Sequence, residues 1–294
     1  MLPLEAVPNF SEGRDRATID AIGDALSEHA RLLDVHSDAD HNRSVYTLVG
    51  SPEELVAALV AGIACARERI DLRGHEGAHP RIGAADVVPL VPIRDRDAHQ
   101  ARAAALELAR RVGQEVGLPV FLYADLAPGL GPAFFRRGGP TELQRRIDAG
   151  ELAPDFGPTQ LDERAGGVIV GARPPLIAFN VNLATDRVEV AKQIAAAVRH
   201  SSGGFRFVKA MGLLVADRGI VQVSMNLTNH EKTPVFRVFE AVKREAARYG
   251  VAVLESEIVG LVPASALLAS AKYFLQLDAF DPRQVLETRL AERS

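Results

Sequence analysis

Two histidines that stand four residues apart are the side chains in this sequence whose type and spacing most directly suggest chemistry. His75 and His79 lie in GHEGAHPRIGAADVVPLVPIRD, residues 74–95. Imidazole can bind a metal or carry a proton near neutral pH, since its unperturbed pKa is about 6.5. The pair therefore has three interpretations: a metal site, an acid–base group beside a second histidine, or two histidines in an ordinary loop.

The residues around this pair argue against a metal site. Histidines at positions i and i+4 share a metal when a helix presents both on one face. Pro80 follows His79 directly, and proline disfavours helical backbone in the residue before it. Gly74 and Gly77 flank His75 and instead suggest close approach of the backbone to a ligand. We therefore expect no bound metal, and acid–base chemistry or plain loop structure remain as alternatives.

A second polar segment joins two expected strands upstream of the histidines. It carries Asp34, His36, Asp38, Asp40, His41, Asn42 and Arg43. So many polar groups exceed what a turn needs, although a solvated loop tip would also explain them, and a cation site at Asp38 and Asp40 lacks regularly spaced oxygen donors. Close to the histidines, Arg81 offers a planar fork for a carboxylate, and Asp86 could orient a side chain in the loop.

The hydrophobic pattern predicts two halves with the same order of elements. Strands at LEAVPNF, RLLDVHS, SVYTLVG and DVVPLVPI alternate with two amphipathic helices in the order β-α-β-β-α-β. The order repeats from LIAFNVNLA to VAVLESEIVGLVP, with a hairpin near Asp217–Gly219. We expect an α/β (α+β) protein with two ferredoxin-like βαββαβ subdomains, residues 1–173 and 174–294, that form a substrate cleft.

Local signals refine this scheme. Ser51 and Glu54 predict a capping box at the start of the second helix, and Pro89 and Pro92 predict an edge or distorted strand. A further helix and the strand LPVFLYAD follow, and LAPGLGPAFFRRGGP is expected to be a loop. The glycine- and proline-rich segment that begins at PDFGP is expected to be either a flap over a ligand or an interdomain linker.

Composition excludes several classes of protein. The 294 residues are 47% hydrophobic and 24% charged with a net charge of −4, which is typical of a globular protein without a nucleic-acid-binding tail. No apolar run reaches the roughly 18 residues that span a bilayer, and the start lacks the pattern of a secretory signal. The single cysteine, Cys65, lies in an apolar helical pattern. We expect a cytoplasmic protein that binds neither nucleic acid nor membranes.

Six ordered motifs resemble the formiminotransferase family. They are VPNFSEG, DHNRSVYTLVG, HEGAHPRIGAADVVPLVPI, PDFGP, IAFNVNL and VGLVP, spread from residue 7 to residue 263. The resemblance implies transfer of the formimino group of N-formimino-L-glutamate to N5 of tetrahydrofolate, with release of glutamate in histidine degradation. Tetrahydrofolate would then be a co-substrate and the protein a homodimer, without the cyclodeaminase that is fused to the animal enzymes.

Residue roles follow from the same resemblance. The histidine before Pro-Arg, His79, would be catalytic, and His75 a neighbour or loop residue. The folate-binding stretch would comprise Gly157, Pro158, Thr159, Gln160, Leu161, Asp162, Glu163, Arg164, Ala165 and Gly166. His36 departs from the family pattern, because the animal enzymes have at this position an acidic residue that assists proton transfer. Three alternatives stay open: a relay of His36 and Asp38, substitution of the acid by Asp38, Asp40 or His41, or a different chemistry.

Chemistry, rather than resemblance, points to the remaining site residues. Both substrates carry carboxylates, so Arg43 and Arg81 are the expected clamps, and Asn42, Gly83 and Asp86 complete the substrate site. The glutamate nitrogen leaves poorly unless it is protonated, and a positioned acid such as His79 contributes roughly 10²–10⁴ in rate. Two alternatives stay open: a non-catalytic folate or amino-acid binding module, and a transferase that uses formylglutamate or another one-carbon donor.

Overall fold

The computed structural model describes residues 3–77 and 80–291, and the chain divides into two compact units. Unit 1 comprises Met1–Pro175 and unit 2 comprises Leu176–Ser294. Each unit has its own sheet and its own hydrophobic core. The predicted catalytic residue, His79, lies outside the described residues.

Unit 1 contains seven strands and five helices in its described part. In chain order they are β1 (Leu4–Ala6), β2 (Asn9–Phe10), α1 (Arg16–Ser27), β3 (Arg31–Asp38), β4 (Arg43–Gly50), α2 (Pro52–Arg69), β5 (Ala85–Val91), α3 (Ala98–Arg111), β6 (Val120–Ala124), α4 (Pro132–Arg136), α5 (Gly139–Asp148) and β7 (Val168–Ala172). The predicted capping box of α2 is confirmed, since Ser51 and Glu54 form it. Asp15 caps the start of α1.

The strands of unit 1 form one mixed sheet. β3 lies at one edge and is followed by β4, then by β1 and β2 in one shared position, and then by β5, β7 and β6. The first strand is interrupted, because β1 and β2 both pair with β4 and with β5. β7 pairs in parallel with β5 and with β6. The predicted β-α-β-β-α-β series is therefore present, and two parallel strands extend its sheet.

Two expectations about unit 1 are wrong, and a third is confirmed in one of its two alternatives. β5 has neighbours on both sides and is not an edge strand, but its pairing with β2 shifts register between Asn9 and Phe10, so the distorted strand that the prolines predicted is present. The Pro89 carbonyl accepts from Val7 in the gap between β1 and β2, so the proline nitrogen faces a place where the ladder is already interrupted. The supposed loop at 126–140 contains α4 and the start of α5, and the supposed linker after Pro154 leads into β7, a fully buried strand inside unit 1.

Helices cover both faces of the unit 1 sheet. α1, α2 and α3 bury Ile22, Leu59 and Leu108 against one face. α4 and α5 bury Phe135 and Leu143 against Val87, Phe121 and Ile169 on the other face. The second layer thus lies over β5, β7 and β6, at the strand that carries Asp86.

Unit 2 has the element order predicted from the sequence. Its elements are β8 (Ile177–Leu183), α6 (Val188–Val198), β9 (Val208–Val215), β10 (Ile220–Leu227), α7 (Val235–Arg248), β11 (Val253–Val259), α8 (Ala264–Phe274) and α9 (Leu286–Ala291). The sheet is antiparallel in the order β11, β8, β10, β9, and the hairpin between β9 and β10 turns at Ala216–Arg218, as predicted. Among the described helices, none combines the length and apolarity that crossing a bilayer requires.

Candidate functional site

The loop that precedes β5 is fixed by its contacts with residues 162–167. The Ala84 N–H donates to the Ala165 carbonyl at 2.8 Å, and the Gly167 N–H donates to the Ile82 carbonyl at 3.0 Å. A Cβ on Gly83 would lie 1.8 Å from the Gly167 carbonyl oxygen, so only glycine fits this approach. Gly83, predicted to contact substrate, thus has a structural role of its own in bringing two backbone segments together.

A β-bulge in β5 directs the Asp86 side chain. Asn9 pairs with Val87 and Phe10 with Ala85, so Asp86 is the extra residue on β5. Ala85 packs in the core under α1–α3, whereas Val87 packs on the opposite face. Because of the bulge, the Asp86 side chain lies with Val87 on the face covered by α4 and α5, and not in the core under α1–α3.

Asp86 is buried and pairs with two arginines. Its Oδ2 lies 3.2 Å from Arg43 Nη1 and 2.5 Å from Arg136 Nη2, and its Oδ1 accepts from the Ile82 N–H at 2.9 Å. The Nε of Arg43 also donates to Asn9 Oδ1 at 3.0 Å. The Asp86 carboxylate therefore holds the guanidiniums of Arg43 on β4 and Arg136 on α4. Its hydrogen bond from Ile82 also holds the loop before β5 in place.

The charges of this cluster determine its protonation. Burial raises the pKa of Asp86, but Arg136, Arg43 and the Ile82 N–H outweigh burial and hold the pKa below its ordinary value. Burial, together with Arg136 and Arg81, lowers the pKa of Arg43 to about 9, although Asp86 raises it. The Asp86 carboxylate and the Arg43 guanidinium are therefore both charged at neutral pH.

Arg81 joins the histidine segment to the polar segment after β3. It donates from Nη1 to the Asn42 carbonyl at 2.9 Å and from Nη2 to the His41 carbonyl at 2.8 Å. Asn42 has φ +47°, and its side chain accepts from the Gly13 N–H at 2.9 Å and donates to the Glu76 carbonyl at 3.0 Å. Asn42 therefore connects three segments and supports the position of Arg81.

His75 accepts a hydrogen bond and is neutral. Its Nε2 lies 3.2 Å from Arg81 Nη1, and a guanidinium can only donate. Burial, and then the charge of Arg81, lowers the pKa of His75. His75 is thus a neighbour of Arg81 that helps to hold its guanidinium. Within residues 3–77 and 80–291, no three His, Cys, Asp or Glu side chains are grouped as metal ligands.

Asp38 and His41 form a hydrogen-bonded pair. The His41 Nδ1 lies 2.8 Å from Asp38 Oδ2, and the His41 N–H donates to Asp38 Oδ1 at 2.8 Å. Burial raises the pKa of Asp38, but the hydrogen bonds from His41 outweigh it and keep the pKa below its ordinary value. On β3, His36 pairs with Val45 of β4, and within the described part of the chain its imidazole makes no hydrogen bond. Asp38 therefore pairs with His41 rather than with His36.

The predicted folate stretch divides into exposed and buried residues. The residues at 157–160 and at 163–164 are exposed, while Leu161, Ala165 and Gly166 are buried in unit 1. Asp162 accepts from Arg67 at 3.1 Å and from the N–H groups of Arg164 and Ala165 at 2.9 Å. The buried part supports the loop before β5, so only the exposed part is available to a ligand without rearrangement.

Arg136 is the site residue that sequence reasoning missed. It lies in α4, inside the segment expected to be a loop, and its partner is 50 residues away. The usable signal was indirect, since a carboxylate at a buried strand position needs a cation as partner. Arg43, Arg81 and Arg136 thus gather near one carboxylate, and guanidiniums are side chains that bind the carboxylates of a ligand.

Comparisons with known proteins agree on one family. Residues 3–173 match the N-terminal subdomain of the formiminotransferase domain, and residues 178–287 match the formiminotransferase domain. The glutamate formimidoyltransferase of Thermoplasma acidophilum is 47% identical over 98% of this chain and 97% of that protein, and that of Streptococcus pyogenes serotype M1 is 43% identical over 98% of each. The formimidoyltransferase-cyclodeaminase of Dictyostelium discoideum is 38% identical over 98% of this chain but only 56% of its own length. The chain therefore belongs to the formiminotransferase family.

Proposed function

We propose that this chain transfers the formimino group of N-formimino-L-glutamate to N5 of tetrahydrofolate and releases L-glutamate. Two glutamate formimidoyltransferases, 47% and 43% identical over nearly their whole lengths, support this assignment. The structural observation that carries it is the group of three arginines around the buried Asp86. Formiminoglutamate has two carboxylates, and guanidiniums bind carboxylates in a planar, two-point geometry.

Within this proposal, Arg43 and Arg81 contact the substrate carboxylates, and Asp86 with Arg136 holds the cluster together. Asp86 is 1% exposed and already occupied by two guanidiniums, so it positions arginines rather than touching substrate. Burial lowers the pKa of Arg81, and the residue lies close enough to the cluster that Asp86 opposes this effect and Arg136 adds to it. Asn42 and His75 fix Arg81 from the other side.

The reaction needs one proton to move between two nitrogens. N5 of the folate attacks the amidine carbon, and a bond between N5 and carbon forms. The adduct then loses the N5 proton, the bond between carbon and the glutamate nitrogen breaks, and that nitrogen leaves as an amine with the proton. We assign this transfer to His79, because an imidazole accepts and returns a proton near neutral pH.

The pair of Asp38 and His41 is the proposed relay for this proton. With its Nδ1–H held by the Asp38 carboxylate at 2.8 Å, His41 presents Nε2 as its basic nitrogen. His41 also accepts a hydrogen bond from Arg81 through its carbonyl, which links the pair to the arginine cluster. We therefore place His41 beside Asp38 in the role that was expected of His36.

Folate binding is proposed for the exposed part of residues 157–166, namely Gly157, Pro158, Thr159, Gln160, Glu163 and Arg164.

Both units are proposed to be ferredoxin-like subdomains, with residues 1–173 and 174–294 as the N- and C-terminal parts of the formiminotransferase domain. Strand orders of β5, β1, β4, β3 in unit 1 and β11, β8, β10, β9 in unit 2 support this classification.

A homodimer is proposed from the apolar surface at the end of unit 2. Large apolar side chains there are at least 48% exposed: Leu267, Tyr273, Phe274, Leu275, Leu286 and Leu290. Exposed apolar patches of this kind mark interaction surfaces. Light scattering should give twice the chain mass of 31.6 kDa, and Leu275→Glu should shift the mass toward the monomer.

A spectrophotometric assay with formiminoglutamate and tetrahydrofolate tests the activity. The parent should turn over formiminoglutamate, and formylglutamate should be a poor donor. His79→Ala should reduce kcat by about 10²–10⁴.

Arg81→Ala should raise KM for formiminoglutamate by about 10–100-fold, since it removes charged hydrogen bonds. Arg16→Ala, at an exposed position, should leave KM unchanged. Turnover of formylglutamate but not formiminoglutamate would identify a different donor, and binding without turnover would identify a binding module.

A further inference from the structure

One face of the unit 2 sheet carries polar side chains in its central strands. Phe179, Val181 and Leu183 of β8 point into the core with α6 and α7, so the alternating Asn180 and Asn182 lie on the opposite face. β10 and β11 contribute Gln222, Glu255 and Glu257 to the same face through their pairing with β8. The amides of Asn180, Asn182 and Gln222 are at most 6% exposed, and burying an amide destabilises a fold more than burying an apolar side chain at the same position.

The amides of this face donate to its carboxylates and to one another. Asn180 donates to Glu257 Oε1 at 2.8 Å, and Asn182 donates to Glu255 Oε1 at 3.1 Å. Gln222 Nε2 donates to Asn182 Oδ1 at 3.0 Å and lies 3.4 Å from Glu257 Oε1. Glu257 Oε1 therefore receives two amides, and the second oxygen of this carboxylate remains as an acceptor toward a ligand.

Gln222 supplies a separate observation. The residue is 3% exposed, yet its Oε1 has no hydrogen-bond partner within the described part of the chain. Reversing the amide would place its oxygen against Glu257 Oε1, so the carboxylate fixes the orientation that is observed. A buried acceptor without a partner is costly, and a donor from a ligand would remove that cost.

We propose that this face binds the N–C–N donor edge of a substrate through Glu257 and Gln222. Two N–H groups on nitrogens that share one carbon match the two oxygens of a carboxylate. This inference rests on the proposed function, whose two substrates both have such an edge. In tetrahydrofolate it is the 2-amino-4-oxopyrimidine edge, and in the donor it is the formimino amidine. The shared chemistry is the same, and the experiment separates the two sources.

The test is calorimetric binding to the full chain, which does not depend on turnover. The ligands are 6-methyltetrahydropterin, which has the ring edge without glutamate, and formiminoglutamate, which has the amidine. The variants are Glu257→Gln and Gln222→Met, each sufficient if the other does not fold, and the control is Glu189→Gln, whose side chain is 73% exposed on α6. Either variant should raise the dissociation constant of one ligand at least tenfold while its melting temperature stays unchanged. The control should leave both dissociation constants unchanged.

The pattern of losses decides the outcome. Loss confined to the pterin assigns the face to the folate ring, and loss confined to formiminoglutamate assigns it to the amidine. Parent-like binding of both ligands, or equal weakening of both, overturns the proposal. A parent that binds pterin through Glu257 but does not transfer formimino groups would contradict the proposed function and leave the binding inference in place.

Discussion

Asp86 shows how a single buried charge can position several others. Its carboxylate is 1% exposed and contacts Arg43, Arg136 and the Ile82 N–H. Removing one partner of a buried ion pair costs about 3–5 kcal/mol, because the remaining charges stay buried without compensation. We expect Asp86→Asn, which keeps the shape, to lower the free energy of unfolding by about this amount in urea titration.

A matched control separates this effect from charge removal in general. Asp20 pairs with Arg16 on the surface of α1, where its side chain is 55% exposed. Surface substitutions of this kind change stability by about 0.5 kcal/mol or less. Equal effects of Asp86→Asn and Asp20→Asn would show that Asp86 does not hold the cluster.

His75 should make the stability of unit 1 depend on pH. Burial and Arg81 lower its pKa, so below about pH 6.5 the unfolded chain binds a proton that the folded chain does not. The free energy of unfolding should therefore fall as the pH drops from 7 to 5, by about 1.4 kcal/mol for each unit by which the pKa is lowered. His75→Gln should flatten this dependence, and the exposed His29→Gln should leave the parental slope.

Residue types alone pointed to part of the arginine–carboxylate cluster. Arg43, Arg81 and Asp86 could be selected because charged residues beside predicted strands need partners or ligands. Arg136 could not, since its partner is 50 positions away and depends on how α4 packs. The polar face of unit 2 has a visible signal in IAFNVNL, where asparagines alternate with apolar residues, but alternation does not reveal which acceptors lack donors. The role of His79 stays a prediction.

At the scale of elements, glycine spacing controls how the loop before β5 packs. Gly83 lies against the Gly167 carbonyl with no room for a Cβ, whereas Gly74, nine residues earlier, has open space around it. We expect Gly83→Ala to lower the free energy of unfolding by at least about 1–3 kcal/mol, and Gly74→Ala to be nearly neutral. Chemical denaturation of both variants checks this, and a neutral Gly83→Ala would mean that the loop can move away from residues 162–167.

Strand prediction failed where periodicity carries no information. β7 is buried on both faces and reads VIVGA, a short apolar run without alternation that follows a glycine-rich segment. Parallel central strands have this pattern, and it is easily mistaken for a linker. By contrast, the strands of unit 2 have helices on one face only, so alternation in β8 and β10 was readable and gave the correct element order.

At the scale of the whole molecule, each unit has a complete set of elements around its own core. The unit 2 core contains residues from all four of its strands and from α6, α7 and α8, including Val181, Val223, Ile194 and Val238. All the ladder partners of β8, β9, β10 and β11 also lie inside unit 2. An antiparallel sheet that is covered by two helices with such a core is sufficient for an independent fold.

We therefore expect a fragment comprising Leu176–Ser294 to fold without unit 1. Scanning calorimetry should show one cooperative transition with an enthalpy of about 80 kcal/mol, the usual value for a domain of this size. Val181→Asp, which places a charge at a fully buried core position, should abolish that transition. Gradual loss of circular dichroism in the parent fragment, without a transition, would show that the unit 2 core does not hold its sheet alone. A cooperative transition would mean that the polar face with Glu257 and Gln222 can be studied for ligand binding apart from the arginine cluster of unit 1.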